Sequence, residues 1–124
     1  SEGALLMNLG AMASIAGKAP KNFVHFVLDN EVYATTGGQP VPNSTNIDYA
    51  GVAKSIGYAS TYHFEDLEEF ATNVQSIMND EGPVFVSIKI EPEIENIPVG
   101  MREARRSRTR TETINDLRTE LGIS

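Results

Sequence analysis

Two residues, Glu2 and Asn30, have the chemistry to share a hard cation. Glu2 brings a carboxylate and Asn30 a neutral amide oxygen, and oxygen donors of both kinds are what magnesium and calcium take. Glu2 is followed by Gly3, Ala4 and the largely apolar Leu5-Leu6-Met7-Asn8-Leu9-Gly10. That pattern reads as a helix start, where free backbone N–H groups face an anion. Asn30 lies in Leu28-Asp29-Asn30-Glu31-Val32-Tyr33-Ala34-Thr35-Thr36-Gly37-Gly38-Gln39, entered from the apolar run Phe23 to Leu28. The run reads as a buried strand and the rest as the loop beyond its carboxyl end, which is where open α/β sheets bind ligands. Gly37-Gly38 lets backbone approach a ligand closely. The chemistry implied is a metal-bound diphosphate, its cation shared between Glu2 and Asn30.

The elements that must position these groups follow from periodicity. Residues 4 to 18 predict one helix, with Leu5, Leu9, Met12 and Ala16 at helical spacing and Gly17 helping to end it before Pro20. Met7 and Met12 read as core. The strand over residues 23 to 28 is expected to be covered on both faces, with His25 buried and hydrogen-bonded or at a sheet edge, and, if no strand lies upstream, with one side open as an edge. Residues 29 to 46 form one long loop. Asn46 predicts the cap of a helix over 47 to 56, with Tyr49, Val52, Ala53 and Ile56 on its buried side and Gly57 at its end. Tyr58 to His63 reads as a strand, His63 having a surface or capping role.

A second long helix is predicted over 65 to 79, with Leu67, Phe70, Ala71, Val74, Ile77 and Met78 as its stripe. Glu65, Asp66, Glu68 and Glu69 read as its solvated first turns rather than a metal cluster. Gly82-Pro83 precedes a third strand, Val84 to Ile90, and Glu91 to Gly100 is extended. Thr109 with Glu112 matches a capping box. It opens a terminal helix whose narrow face of Ile114, Leu117 and Leu121 must dock on the domain or on a partner. Alternation of this kind implies a three-layer α/β/α sandwich with a mostly parallel sheet and right-handed crossovers.

Composition narrows the function. The 124 residues contain no cysteine, which excludes disulfides and zinc-thiolate sites. No apolar run is long enough to span a membrane, and a cytosolic location is expected. A net charge of −7 argues against nucleic acid as the main partner. The charge is uneven: residues 1–100 carry 4 basic and 13 acidic side chains, and residues 101–124 carry 6 and 4. Arg102, Arg105, Arg106, Arg108 and Arg110 make a basic patch, read as a solvated or subunit-packing segment. Two segments are expected on this basis, 1–100 as the ligand domain and 101–124 as a basic tail and helix.

The Glu2–Gly3 and Asp29–Asn30 strings, with the longer matches through Gly10 and Gln39, resemble the pyrophosphate-binding domain of thiamine-diphosphate-dependent enzymes. The similarity is greatest to the phosphonopyruvate and sulfopyruvate decarboxylase branch, and Gly37-Gly38-Gln39 leans to the former. The resemblance covers about residues 1 to 99. It implies the thiamine-diphosphate-binding fold lacking its first strands, a partial domain. It implies thiamine diphosphate and Mg2+ as cofactors, with Gly3, Ala4, Leu5, Asn30, Val32 and Tyr33 at the cofactor and Glu2, Asn30 and the Val32 carbonyl at the metal. It also implies a homo-oligomer, a small 2-oxo acid substrate, and a separate pyrimidine-binding domain or subunit that carries the activating glutamate. Ser1 and Glu2 replace the family's glycine and aspartate, and no strand precedes them. The expectation is therefore a fragment or truncated product with Glu2 on a loose terminus, no bound thiamine diphosphate and no turnover alone. A non-catalytic, self-associating α/β module is the alternative.

Overall fold

The computed structural model describes residues 1–94 and 108–123. Its element order is α1 (Glu2–Met7), α2 (Gly10–Lys18), β1 (Val24–Asp29), β2 (Val32–Tyr33), β3 (Gln39–Pro40), α3 (Tyr49–Ile56), β4 (Ser60–Phe64), α4 (Leu67–Asn79), β5 (Val84–Lys89) and α5 (Arg110–Glu120). Three strands form a parallel sheet in the order β1-β5-β4. The chain runs outward from β1 to β4 and then back to β5. Right-handed crossovers in opposite directions place their helices on opposite faces of the sheet. A three-layer α/β/α sandwich results, as the alternation of elements predicts.

One face carries α1, α2 and α3. Its core is Met12, Val27, Tyr49, Ala53, Tyr58 and Phe85, with Leu5, Leu6, Ile15 and Ile56 packed against it. The other face carries α4, whose Ile77 packs with Phe64, Val84 and Val86. Central β5 is buried on both faces from Val84 to Ser87. Edge strand β1 is not covered on both faces as expected: Val27 and Asp29 are buried, whereas Phe26 and Leu28 are 40% and 47% exposed. One helix is too narrow to cover a three-stranded face. Among the described residues β1 pairs only with β5.

Several boundaries differ from expectation. The single helix over 4 to 18 is two helices, broken where Asn8 leaves the helical region at φ −141° and ψ 51°. Asn and Gly10 are weak helix formers side by side with this break. The first helix begins at Glu2, and the second is ended by Ala19 in the left-handed region rather than by Gly17. The cap of α3 is Asp48, which accepts from the Gly51 N–H at 2.8 Å, and not Asn46. Gly57 ends α3 at φ 115°, a conformation that suits glycine. On α4 the expected stripe is buried only in part. Leu67 and Met78 are exposed and Ile77 is fully covered, because the helix contacts the sheet along a narrow seam. The Thr109–Glu112 capping box is present, but Ile114, Leu117 and Leu121 are exposed and dock on no described residue of the domain. Most of the Glu91–Gly100 segment, with Arg102, Arg105 and Arg106, lies outside the described residues.

Candidate functional site

The site grows from the carboxyl end of β1. Alternation along the strand puts Val27 and Asp29 on the face of α1 to α3. Beyond it, the expected featureless loop is a small hairpin. Strands β2 and β3 pair antiparallel, Val32 with Pro40 and Tyr33 with Gln39. The Val41 N–H donates to the Glu31 carbonyl at 2.8 Å. Asn30 Oδ1 accepts from the Val32 N–H at 3.3 Å, the local turn that asparagine favours. The hairpin therefore presents Asn30, Val32 and Tyr33 as one rigid edge.

Glu2 meets that edge. Helix α1 packs on β1 and brings Glu2, fully buried, to Asn30. The Asn30 N–H donates to Glu2 Oε2 at 3.4 Å across 28 positions of sequence. That is a long hydrogen bond, an orienting contact rather than a strong one. The other carboxylate oxygen, Oε1, is buried with no hydrogen-bond partner. Glu2 is thus not a loose terminal residue, contrary to expectation. The physical reason is the packing of α1 together with its glycine. A Cβ on Gly3 would lie 2.5 Å from the Tyr33 ring, so only glycine lets that ring close over the helix start. Ser1 provides no side-chain cap, and the first-turn N–H groups of Gly3 and Ala4 are not taken up by one.

Asp29, which stands in the motif without an assigned role, and two residues outside the motif, Lys89 and Tyr49, share this corner. Asp29 is buried, and its Oδ1 has no partner. Its Oδ2 accepts from Lys89 Nζ at 3.2 Å, and Lys89 also donates to Glu31 at 2.5 Å. Lys89 is held charged: burial of the ammonium works against that, but the bonds to Glu31 and Asp29 outweigh it and raise its pKa. Tyr49 is buried, and its hydroxyl too has no partner. Burial pushes that hydroxyl up to about 12, and the charges of Asp29 and Glu2, then Tyr33 and Glu31, add to the push. Tyr49 thus stays a neutral donor beside anionic groups. Its other side lines a cavity of about 300 Å3 with Thr45, Asn46, Ile47, Asp48 and His63. His63 is exposed and 3.3 Å from Glu65, while His25 hydrogen-bonds Tyr58 at 3.0 Å as a core residue, its pKa lowered by burial.

The donor set suits a divalent cation. A buried carboxylate oxygen with no partner is costly unless something charged meets it, and the Asn30 side chain on the adjoining turn carries an amide oxygen. Among the described residues no group of three or more His, Cys, Asp or Glu forms a metal cluster. The remaining positions of the shell would come from the ligand and water, as magnesium sites built with phosphates do.

Residues 1–88 match the model of the family described as thiamine pyrophosphate enzyme, C-terminal TPP binding domain. The chain is 35% identical over 91 residues to a phosphonopyruvate decarboxylase of Streptomyces hygroscopicus, covering 73% of this chain and 22% of that protein. It is 35% identical over 98 residues to the sulfopyruvate decarboxylase subunit beta of Methanothermobacter thermautotrophicus, covering 79% and 50%. The corresponding subunit of Methanocaldococcus jannaschii is 35% identical over 91 residues, covering 73% and 48%. The matched region thus spans about a fifth to a half of these relatives.

Proposed function

The chain belongs to the thiamine pyrophosphate enzyme C-terminal domain family, and from that premise we propose that it is the part of a 2-oxo acid decarboxylase that anchors the cofactor's diphosphate through Mg2+. The observation that carries this reading is the contact of buried Glu2 with Asn30, which leaves one carboxylate oxygen free. In this reading Glu2, the Asn30 amide oxygen and the Val32 carbonyl hold the metal. The backbone of Gly3, Ala4 and Leu5 receives the diphosphate. Tyr33 walls the site and keeps water from its floor. Thiamine diphosphate, when bound, supplies the carbanion and electron-sink chemistry of decarboxylation. No residue of this chain is assigned a proton transfer.

The substrate is read as a small 2-oxo acid ending in a phosphonate or sulfonate, in line with the names of the relatives. Since several relatives are beta subunits, a pyrimidine-binding domain or second subunit completes the site, within a homo-oligomer or a larger cytosolic assembly. The isolated chain is inactive on this reading.

Calorimetry tests it. Thiamine diphosphate is titrated, with and without Mg2+, into the chain alone and into the chain assembled with its pyrimidine-binding partner. Mg2+-dependent binding in the assembly, with decarboxylation of phosphonopyruvate or sulfopyruvate, is expected. An assembly that folds yet binds no thiamine diphosphate at any Mg2+ concentration would leave the chain a non-catalytic module.

A further inference from the structure

We propose that Lys89 is a positioning residue: it latches the Asp29–Val32 turn into the geometry that lets Glu2 and Asn30 hold a divalent cation. The inference rests on the cation reading above and adds a residue 58 positions along the chain from Glu31.

The turn has a defect that needs a latch. Glu31 sits at φ 62°, in the left-handed region, which an ordinary side chain adopts only at a cost. Two contacts hold it there: its carbonyl accepts from the Val41 N–H, and its carboxylate accepts from Lys89 Nζ. Lys89 is placed for this by the sheet. Its backbone is in register with Asp29 in the parallel β1–β5 pair, and the Ile90 N–H donates to the Asp29 carbonyl at 2.9 Å. One ammonium therefore ties the residue before Asn30 to the residue after it. Asn30 thus sits between two tethered neighbours, and the Val32 N–H meets its side-chain oxygen.

Charge alone predicts the opposite of a latch. Glu2, Asp29 and Glu31 with one lysine leave a corner of net negative charge. Removing the lysine makes the corner more negative and would tighten a cation on Coulomb grounds. Removing a latch disorders the ligands and weakens the cation, by about 10- to 100-fold where outer residues orient metal ligands. The sign of the effect separates the two.

The test uses Lys89→Met, Lys89→Arg and the double variant Lys89→Met with Glu31→Gly. Hydrogen exchange on the full chain, without cofactor, reads the turn itself. Lys89→Met should lose protection at Val32 and Val41 by about tenfold or more while α4 keeps its protection. Lys89→Arg should restore it. So should the double variant, because glycine takes φ 62° freely. In the assembled protein, the Mg2+ concentration that half-saturates thiamine diphosphate binding should rise about tenfold or more in Lys89→Met and return in the other two. Unchanged exchange at Val32 and Val41, a loss spread over α4 as well, or tighter Mg2+ binding in Lys89→Met would each overturn the latch. A wild-type assembly that shows the exchange pattern but takes up no Mg2+ would instead break the functional reading and leave the latch standing.

Discussion

The two faces of the sheet are built to different standards. Under α1, α2 and α3 the core residues Met12, Ala53 and Phe85 are fully buried. Under α4 the same strands send out Phe26 and Leu28 half exposed, and the helix leaves Leu67 77% exposed. The orphaned oxygens of Glu2 and Asp29 and the Tyr49 hydroxyl all belong to the first face. The contrast teaches that the candidate site is an extension of the tight core, stopped short of completion. The looser face lends the site no described group.

Four changes would break or sharpen that contrast. The largest effect is expected from Phe85→Ala, which opens a cavity in the tight core and should cost about 3–5 kcal/mol by chemical denaturation. A loss below about 1 kcal/mol would mean that the two faces are alike. A smaller effect concerns the pH limits. Tyr49 holds its proton more tightly folded than unfolded, with its folded value at about 12 against an ordinary 10. The stability this provides is present below pH 10 and is lost as pH rises toward 12. Tyr49→Phe should flatten that alkaline decline in melting temperature, and an unaltered decline would place the phenol outside the anionic corner.

Smaller again is the stability change expected from Glu2→Gln. Without a cation the buried carboxylate is a burden, so the metal-free variant should gain about 1 kcal/mol, while losing the stabilisation that Mg2+ with thiamine diphosphate gives the assembled wild type. Equal cofactor stabilisation in both would remove Glu2 from the metal. The smallest is Leu67→Ala on the loose face, which should stay within about 0.5 kcal/mol in the isolated chain. A loss of several times that only in the assembly would show the face covered by a partner.

The parts of the molecule that were legible in advance are those set by local rules. Gly57 at φ 115° and the Thr109–Glu112 box follow from caps, and the order of strands and helices follows from period. Glu2 and Asn30 were visible by type and spacing. The burial of Glu2 was not, because it depends on α1 lying on β1 and on the Tyr33 ring closing over Gly3. Neither contact leaves a pattern in its own segment. Lys89 was hidden for a similar reason. It ends an apolar strand like any solvated lysine, and only the parallel register sets it beside Asp29. The stripe on α4 follows from its period, yet Ile77 is fully buried while Leu67 and Met78 are exposed, since periodicity states which side faces inward and not how far the sheet beneath extends.

The strand order has a consequence in time. Strands β4 and β5 are joined through α4 alone, so their pairing closes a short loop. The bond of Asp29 to Lys89 spans 60 positions. Contacts distant in sequence form slowly, because chain entropy is lost before they reward it. The β4–α4–β5 unit is expected to assemble first and β1 to join it afterwards. Glu2 and Asn30 precede β5 in the chain, yet they acquire their geometry at the end, when β1 docks on β5 and the turn meets Lys89. Pulse-labelled hydrogen exchange during refolding would record this order, with the Ser87 amide, which alternation along β5 turns toward β4, protected earlier than the Val41 amide.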